Sequence, residues 1–160
     1  MLYLDTAVVL TLFIREPMSE SIGKWIASRR QPLAFSDWGL TECASALGIR
    51  LCRGELDTDT AARALRAITT FANESCEVIA CGGHHQKEAQ KLLTRFDLSL
   101  RSGDALHLAI SHHAKATLVT YDKQLVAAAR AVRAQNRSRK LPWPAMILER
   151  RVSPASRAGA

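Results

Sequence analysis

Short apolar runs alternate with amphipathic stretches along this chain, and that alternation narrows the fold more than any other feature. "LYLD" reads as a strand ending at Asp5, with Thr6 placed to cap the segment that follows. A helix begins near Ser19 and puts Ile22, Trp25 and Ile26 on one face. "QPLAFSD" is a second strand, leading into a helix where Leu40, Cys43, Ala44, Leu47 and Leu51 recur at helical spacing and Gly54 supplies the stop. Another helix, capped by Asp57 or Thr58, runs to the strand "CEVIAC". "GGHHQKEAQKLLTRFD" and "SGDALHLAISHHAK" are helices, the second with Ser102 as its cap, followed by the strand "ATLVTYD" and the helix "KQLVAAARAVRAQ". Strands separated by helices pair in parallel, and a parallel sheet needs both faces covered. The expected fold is α/β: a three-layer α/β/α sandwich around a central, mostly parallel sheet of four or five strands.

Beyond Asn136, "NRSRKLPWP" is basic and broken by proline, which predicts a loop. "AMILE" is a candidate edge strand, so a fifth strand is expected within 137–149. Residues 151–160 have the composition of a flexible tail. With 48% hydrophobic residues the chain can bury one real core, and a single domain over 1–150 is expected. No apolar run approaches the ~20 residues that a membrane helix needs. The opening residues lack a basic region and a small-residue cleavage site, so a cytoplasmic protein without membrane partners is expected.

None of the four cysteines (Cys43, Cys52, Cys76, Cys81) forms a C-x-x-C pair, and free thiols are expected. Cys76 and Cys81 precede His84 and His85, but their spacing is wider than that of usual zinc sites and no second half is evident. The net charge of +7 favours polyanionic partners, nucleic acid first among them. "RSRK" at 137–140 reads either as a solvated loop or as a contact for nucleic-acid backbone.

Four acids stand out on this outline. Asp5 and Asp122 end strands, Glu42 lies about one and a half turns into a helix, and Asp104 opens one. Ligands of open α/β sheets bind beyond the carboxyl ends of the strands, near the point where strand order reverses. Each acid also has a plain structural reading: Asp5 as a turn residue, Glu42 as a solvated helix residue, Asp104 as a helix start that complements the dipole, and Asp122 as the cap of the final helix. If the four converge, two unit charges ~4 Å apart repel by about 4 kcal/mol at an effective dielectric of 20. Such a cluster calls for a cation or for bound protons, and oxygen-only donors suit Mg²⁺ or Mn²⁺. With the basic surface, this points to metal-dependent cleavage of a nucleic-acid backbone. Arg101 flanks the acids and would meet a phosphate or pair with a carboxylate. His107, one helical turn after Asp104, reads as a packed or hydrogen-bonded residue, and His112 and His113 as surface residues.

"YLDT", Glu42 in "SDWGLTECASAL", "RSGDALHLA" and "LVTYD" together resemble the PIN domain, specifically the VapC-type toxins of bacterial toxin–antitoxin pairs. The resemblance runs from Met1 to about Arg130. It implies a Mg²⁺-dependent endoribonuclease whose catalytic and metal-binding acids fall on Asp5, Glu42, Asp104 and Asp122. Thr6 and Thr120 match the family's hydroxyl positions beside the acids. The resemblance further implies a homodimer and a cognate antitoxin that covers the site. The last thirty residues depart from the pattern, because a longer basic segment with prolines replaces the short turn into the fifth strand.

Other classes fit less well. A phosphatase of the haloacid-dehalogenase kind needs a second aspartate at position 7, which is Ala7. No G-x-G-x-x-G follows the first strand, which removes dinucleotide binding. A catalytically silent PIN-like module that binds RNA or protein, and a metal-dependent nuclease acting on DNA, remain as alternatives.

Overall fold

Leu2, Tyr3 and Leu4 are all buried, so the first strand has no solvent face and must lie inside a sheet covered on both sides. The computed structural model describes residues 1–135 and 145–147 and arranges them so. Strand β1 (Leu2–Leu4) pairs in parallel with β2 (Leu33–Ser36) on one side and β4 (Thr117–Thr120) on the other. Strand β3 (Cys76–Ile79) extends the sheet beyond β2, and β5 (Ala145–Ile147) extends it beyond β4, also in parallel. The order is β3-β2-β1-β4-β5. The expected edge strand in "AMILE" is therefore present, with Val119 opposite Met146. The loop expected at 137–140 and the tail expected at 151–160 lie outside the described residues.

Side chains alternate across the sheet with a period of two. Leu2, Leu4, Phe35 and Val119 enter a core shared with α1 (Thr6–Phe13), α2 (Ser19–Ala27), α3 (Asp37–Cys52) and α4 (Thr58–Ser75). Tyr3, Ala34 and Leu118 enter a second core with α5 (Gly83–Leu93), α6 (Ser102–His113) and α7 (Lys123–Gln135). Two cores on opposite faces of one sheet make the three layers of an α/β/α sandwich.

Two expected caps move by one residue. Asp5, not Thr6, caps α1: its carboxylate accepts the Val8 N–H at 2.8 Å, and Thr6 is already helical. Arg101, not Ser102, stands at the N-cap of α6, because the Asp104 carboxylate reaches back to accept the Arg101 N–H at 3.0 Å and draws Ser102 into the first turn. Asp57 caps α4. Gly54 follows α3 with φ +70°, the left-handed conformation that a side chain resists.

Phe96, between α5 and α6, adopts φ 58° and is 90% exposed. A β-carbon at such a φ costs roughly 1–2 kcal/mol, and an exposed ring has little packing to offset it. Phe96→Gly is expected to raise the melting temperature by a few degrees, about 2–4 °C per kcal/mol for a chain of this size, as read by calorimetry. An unchanged or lower value would show that the ring makes compensating contacts.

Candidate active site

The chain leaves β1 for β2 and β3 on one side, then returns to place β4 and β5 on the other, so strand order reverses between β1 and β4. Asp5 follows β1 directly, and its N–H donates to the carbonyl of Val119 in β4 at 3.1 Å. Asp122 lies two residues beyond β4 and accepts the N–H groups of Gln124 and Leu125, which fixes its carboxylate at the start of α7. Asp104 is held in the first turn of α6, and Glu42 projects from α3. All four line one cleft of about 470 Å³, together with Thr6 and Arg101. Leu10, Ala46, Ile49 and Leu125 give the same cleft an apolar part of its wall. The sequence pattern gave no hint of that wall.

Asp5 and Asp104 are held in one electrostatic state and Glu42 in another. Burial pushes the Asp5 carboxyl above its ordinary range; His107, the Thr120 hydroxyl and the Val8 N–H oppose this, while Asp122 adds to it. Burial also raises Asp104 against the pull of the Arg101 N–H, with the negative charges of Asp122 and Glu42 contributing. Glu42 goes the other way. Burial would raise it, but hydrogen bonds from His107 and Thr6 and the proximity of His107 outweigh burial and hold it low. Acids of one cleft thus repel one another across it, as a cation-binding site requires.

Glu42 is the most closely held. Its Oε2 accepts the Thr6 hydroxyl at 2.6 Å and lies 2.6 Å from His107 Nε2. Its Oε1 rests on Gly103: a β-carbon there would stand 2.4 Å from it, so only glycine lets α6 approach this carboxylate. His107 is buried, as its plain reading expected, and its Nδ1 lies 2.8 Å from Tyr3 Oη. Tyr3 Oη is in turn 2.8 Å from Ser36 Oγ, which accepts the Gly39 N–H at 3.0 Å. Tyr3 and Ser36 were not among the expected site residues. The one available signal was the period of two, which puts Tyr3 on the same face of β1 as Asp5. Thr120 is fully buried and its hydroxyl accepts the Asp122 N–H, so it braces two acids at once. Arg101 is exposed at the rim.

The histidines elsewhere form no part of this cleft. His85 is buried, with Nδ1 accepting the Gly82 N–H. His113 is exposed as expected, but His112 is half-buried, because the end of α6 packs against α5. The four cysteines are free thiols. Among the described residues no three His, Cys, Asp or Glu side chains stand close enough to form a cage, neither the Cys76–His85 group nor the four acids. The donor set nevertheless fits a hard divalent ion. Mg²⁺ retains several waters and uses one or two carboxylates, so it needs no all-protein cage. Mutually repelling oxygen donors at a solvent-open cleft meet that requirement.

The sequence profile of the PIN domain matches residues 2–131. The chain belongs to the PIN domain family. No curated protein sequence matches it. Among solved structures, this PIN domain is similar to VapC20 of Mycobacterium tuberculosis, described as a toxin that cleaves the sarcin–ricin loop, at 17% identity and a TM-score of 0.65, covering 80% of this chain and 95% of that one. It is also similar to VapBC2 of Rickettsia felis bound to a promoter DNA fragment, at 15% identity and a TM-score of 0.61, covering 93% and 100%. A third, FitAcB of Neisseria gonorrhoeae, gives 14% identity and a TM-score of 0.60, covering 81% and 94%. At these identities the likeness is one of fold. No helix among the described residues is long and apolar enough to cross a membrane.

Proposed function

We propose that this PIN domain is a metal-dependent endoribonuclease, the toxin of a toxin–antitoxin pair, hydrolysing RNA phosphodiester bonds in the cleft of Asp5, Glu42, Asp104 and Asp122. The observation that carries this reading is the convergence of four carboxylates, from four separate segments, at the point where strand order reverses. The family match and the likeness to toxins such as VapC20 support it.

Asp5, Asp104, Asp122 and Glu42 would hold Mg²⁺, or Mn²⁺ in its place. The bound ion would lower the pKa of a coordinated water and offset charge on the leaving oxygen. The chain's own residues do the rest. Asp5 and Asp122 are anchored at helix starts, which fixes where negative charge stands. Thr120 braces both, and Thr6 steadies Glu42. Arg101, which is exposed and lines the cleft, would receive a backbone phosphate. The apolar wall of Leu10, Ala46 and Ile49 gives the cleft a dry side against which a nucleotide can lie.

The partners of this reading are RNA as substrate, a cognate antitoxin and a second copy of the chain. A toxin–antitoxin complex from Klebsiella pneumoniae, similar in fold at 16% identity and a TM-score of 0.58, supports the antitoxin. The test is incubation with structured RNA and with single- and double-stranded DNA, with Mg²⁺ or with chelator, followed by mapping of product ends. Attack by water on phosphorus with the 3′-oxygen as leaving group breaks the P–O3′ bond and gives a 5′-phosphate and a 3′-hydroxyl, expected on RNA only when Mg²⁺ is present. A 2′,3′-cyclic phosphate or cleavage in chelator would overturn the mechanism. Cleavage of DNA alone would move the substrate, and binding without cleavage would mark a silent module.

A further inference from the structure

Five hydroxyl, imidazole and carboxyl groups form one continuous line from the sheet interior to the cleft, and their partners fix the direction of every proton in it. The line starts at a donor that cannot reverse, the Gly39 N–H, which donates to Ser36 Oγ. Ser36 is fully buried, so its own hydrogen needs an acceptor, and Tyr3 Oη at 2.8 Å is the one it meets among the described residues. Tyr3 Oη then donates onward to His107 Nδ1, also at 2.8 Å. With Nδ1 accepting, the ring proton of His107 must sit on Nε2. It is aimed at Glu42 Oε2 at 2.6 Å, with Thr6 Oγ1 at 3.1 Å as a lesser acceptor. The reverse direction fails: if Tyr3 donated to Ser36, Ser36 Oγ would receive two hydrogens and its own would have no acceptor in the line.

We propose that Tyr3 is a positioning residue for the cleft: it fixes the tautomer of His107, which locks Oε2 of Glu42 and leaves Oε1, seated on Gly103, as the oxygen presented to a bound cation. This deepens the proposed function and rests on its placing of Glu42 among the cation-holding acids. Tyr3 does not line the cleft itself; it touches His107, which does, and its effect passes through His107 to Glu42. Oε2, occupied by two donors, has little capacity left for a cation. Oε1 is confined from the other side, since the backbone of α6 at Gly103 stands where a side chain would collide with it. The carboxylate is thereby held in one rotamer before any ligand arrives.

Two measurements test this. The first is the tautomer of His107 in the metal-free wild-type protein, read from long-range ¹⁵N–¹H correlations, with His107→Gln identifying its signals among the five histidines. Proton on Nε2 and a bare Nδ1 are expected, and a proton on Nδ1 would overturn the proposal. The second is the affinity of the free protein for Mn²⁺ in Tyr3→Phe, Glu42→Gln and the double variant. Groups that orient metal ligands typically contribute 10- to 100-fold in affinity, so Tyr3→Phe is expected to weaken Mn²⁺ binding by roughly that factor. In the Glu42→Gln background it is expected to change affinity less than about two-fold, because its route to the cation is already gone. Equal losses in both backgrounds, or none in either, would overturn the proposal. If the wild-type protein binds no Mn²⁺, the metal-site reading of the cleft fails, whereas the tautomer measurement still decides the hydrogen-bond line. It also decides should Tyr3→Phe not fold.

Discussion

Asparagine in place of Asp5 is expected to lower Mg²⁺-dependent RNA cleavage by at least about 100-fold while making the metal-free protein more stable. The loss follows from the proposed role: groups that only orient metal ligands contribute roughly 10- to 100-fold, so removing a ligand's charge costs at least the upper figure. The gain follows from the geometry. Asp5 is buried and faces the charge of Asp122, so its carboxyl is raised and its ionised form opposes folding. Asparagine keeps an oxygen for the Val8 N–H and removes the charge. The sign is definite. A carboxyl raised in the folded state supports folding fully below its unfolded pKa, and that support is lost as pH rises through the folded pKa. The metal-free wild-type protein should therefore lose stability as pH climbs through the raised values of Asp5 and Asp104, and Asp5→Asn should flatten this slope. Glu42, held low, contributes oppositely: its support is present above its unfolded pKa and fades as pH falls. Melting curves in chelator across pH, beside cleavage rates in Mg²⁺, read both effects. A variant that cuts at wild-type rate, or that melts lower at neutral pH, contradicts the assignment of Asp5.

The largest effect on folding is expected from His107→Ala. The imidazole is buried between Tyr3 and Glu42, and its removal opens a cavity and strips both of a partner. A buried hydroxyl left unpaired costs about 1–3 kcal/mol, and the cavity adds to that. The sum is a loss of at least roughly 3 kcal/mol, a large share of the ~5–15 kcal/mol that stabilises a typical domain. Urea unfolding at neutral pH measures it through the shift of the midpoint. A loss below about 1 kcal/mol would mean that water replaces the ring and that the line of hydrogen bonds is not structural. The contrast with Asp5→Asn separates two kinds of residue in one cleft: a carboxylate held against its stability, and an imidazole that the fold depends on.

This separation shows why some of the site was legible in the sequence and some was not. Asp5, Asp104 and Asp122 were readable because each sits at a strand end or helix start, places that apolar periodicity and turn chemistry mark locally. Glu42 was readable only through the motif around it, since one acid on a sixteen-residue helix has no local mark of its own. Tyr3 and Ser36 lie inside apolar strand segments, where a lone hydroxyl looks like any other core position. Their importance comes from meeting His107, which is 104 residues from Tyr3 along the chain. The two displaced caps have a similar origin. Both Thr6 and Ser102 are good capping residues, but a neighbouring aspartate with a stronger acceptor took over each helix start.

What the sequence determined by itself was the layer plan. Alternating apolar strands and amphipathic helices require a parallel sheet with helices on both faces, and strand ends bearing acids place the chemistry at one edge of that sheet. These are properties of short segments, set by periodicity and backbone geometry. What only the tertiary structure decided was the state of each acid and the company it keeps. Asp5 is raised and Glu42 lowered although both are carboxylates of the same cleft, because burial dominates at the first while His107 and the hydrogen bonds from it and from Thr6 outweigh burial at the second. Desolvation and hydrogen bonding act over a few ångströms of space, and the residues that supply them come from segments that sequence order keeps far apart.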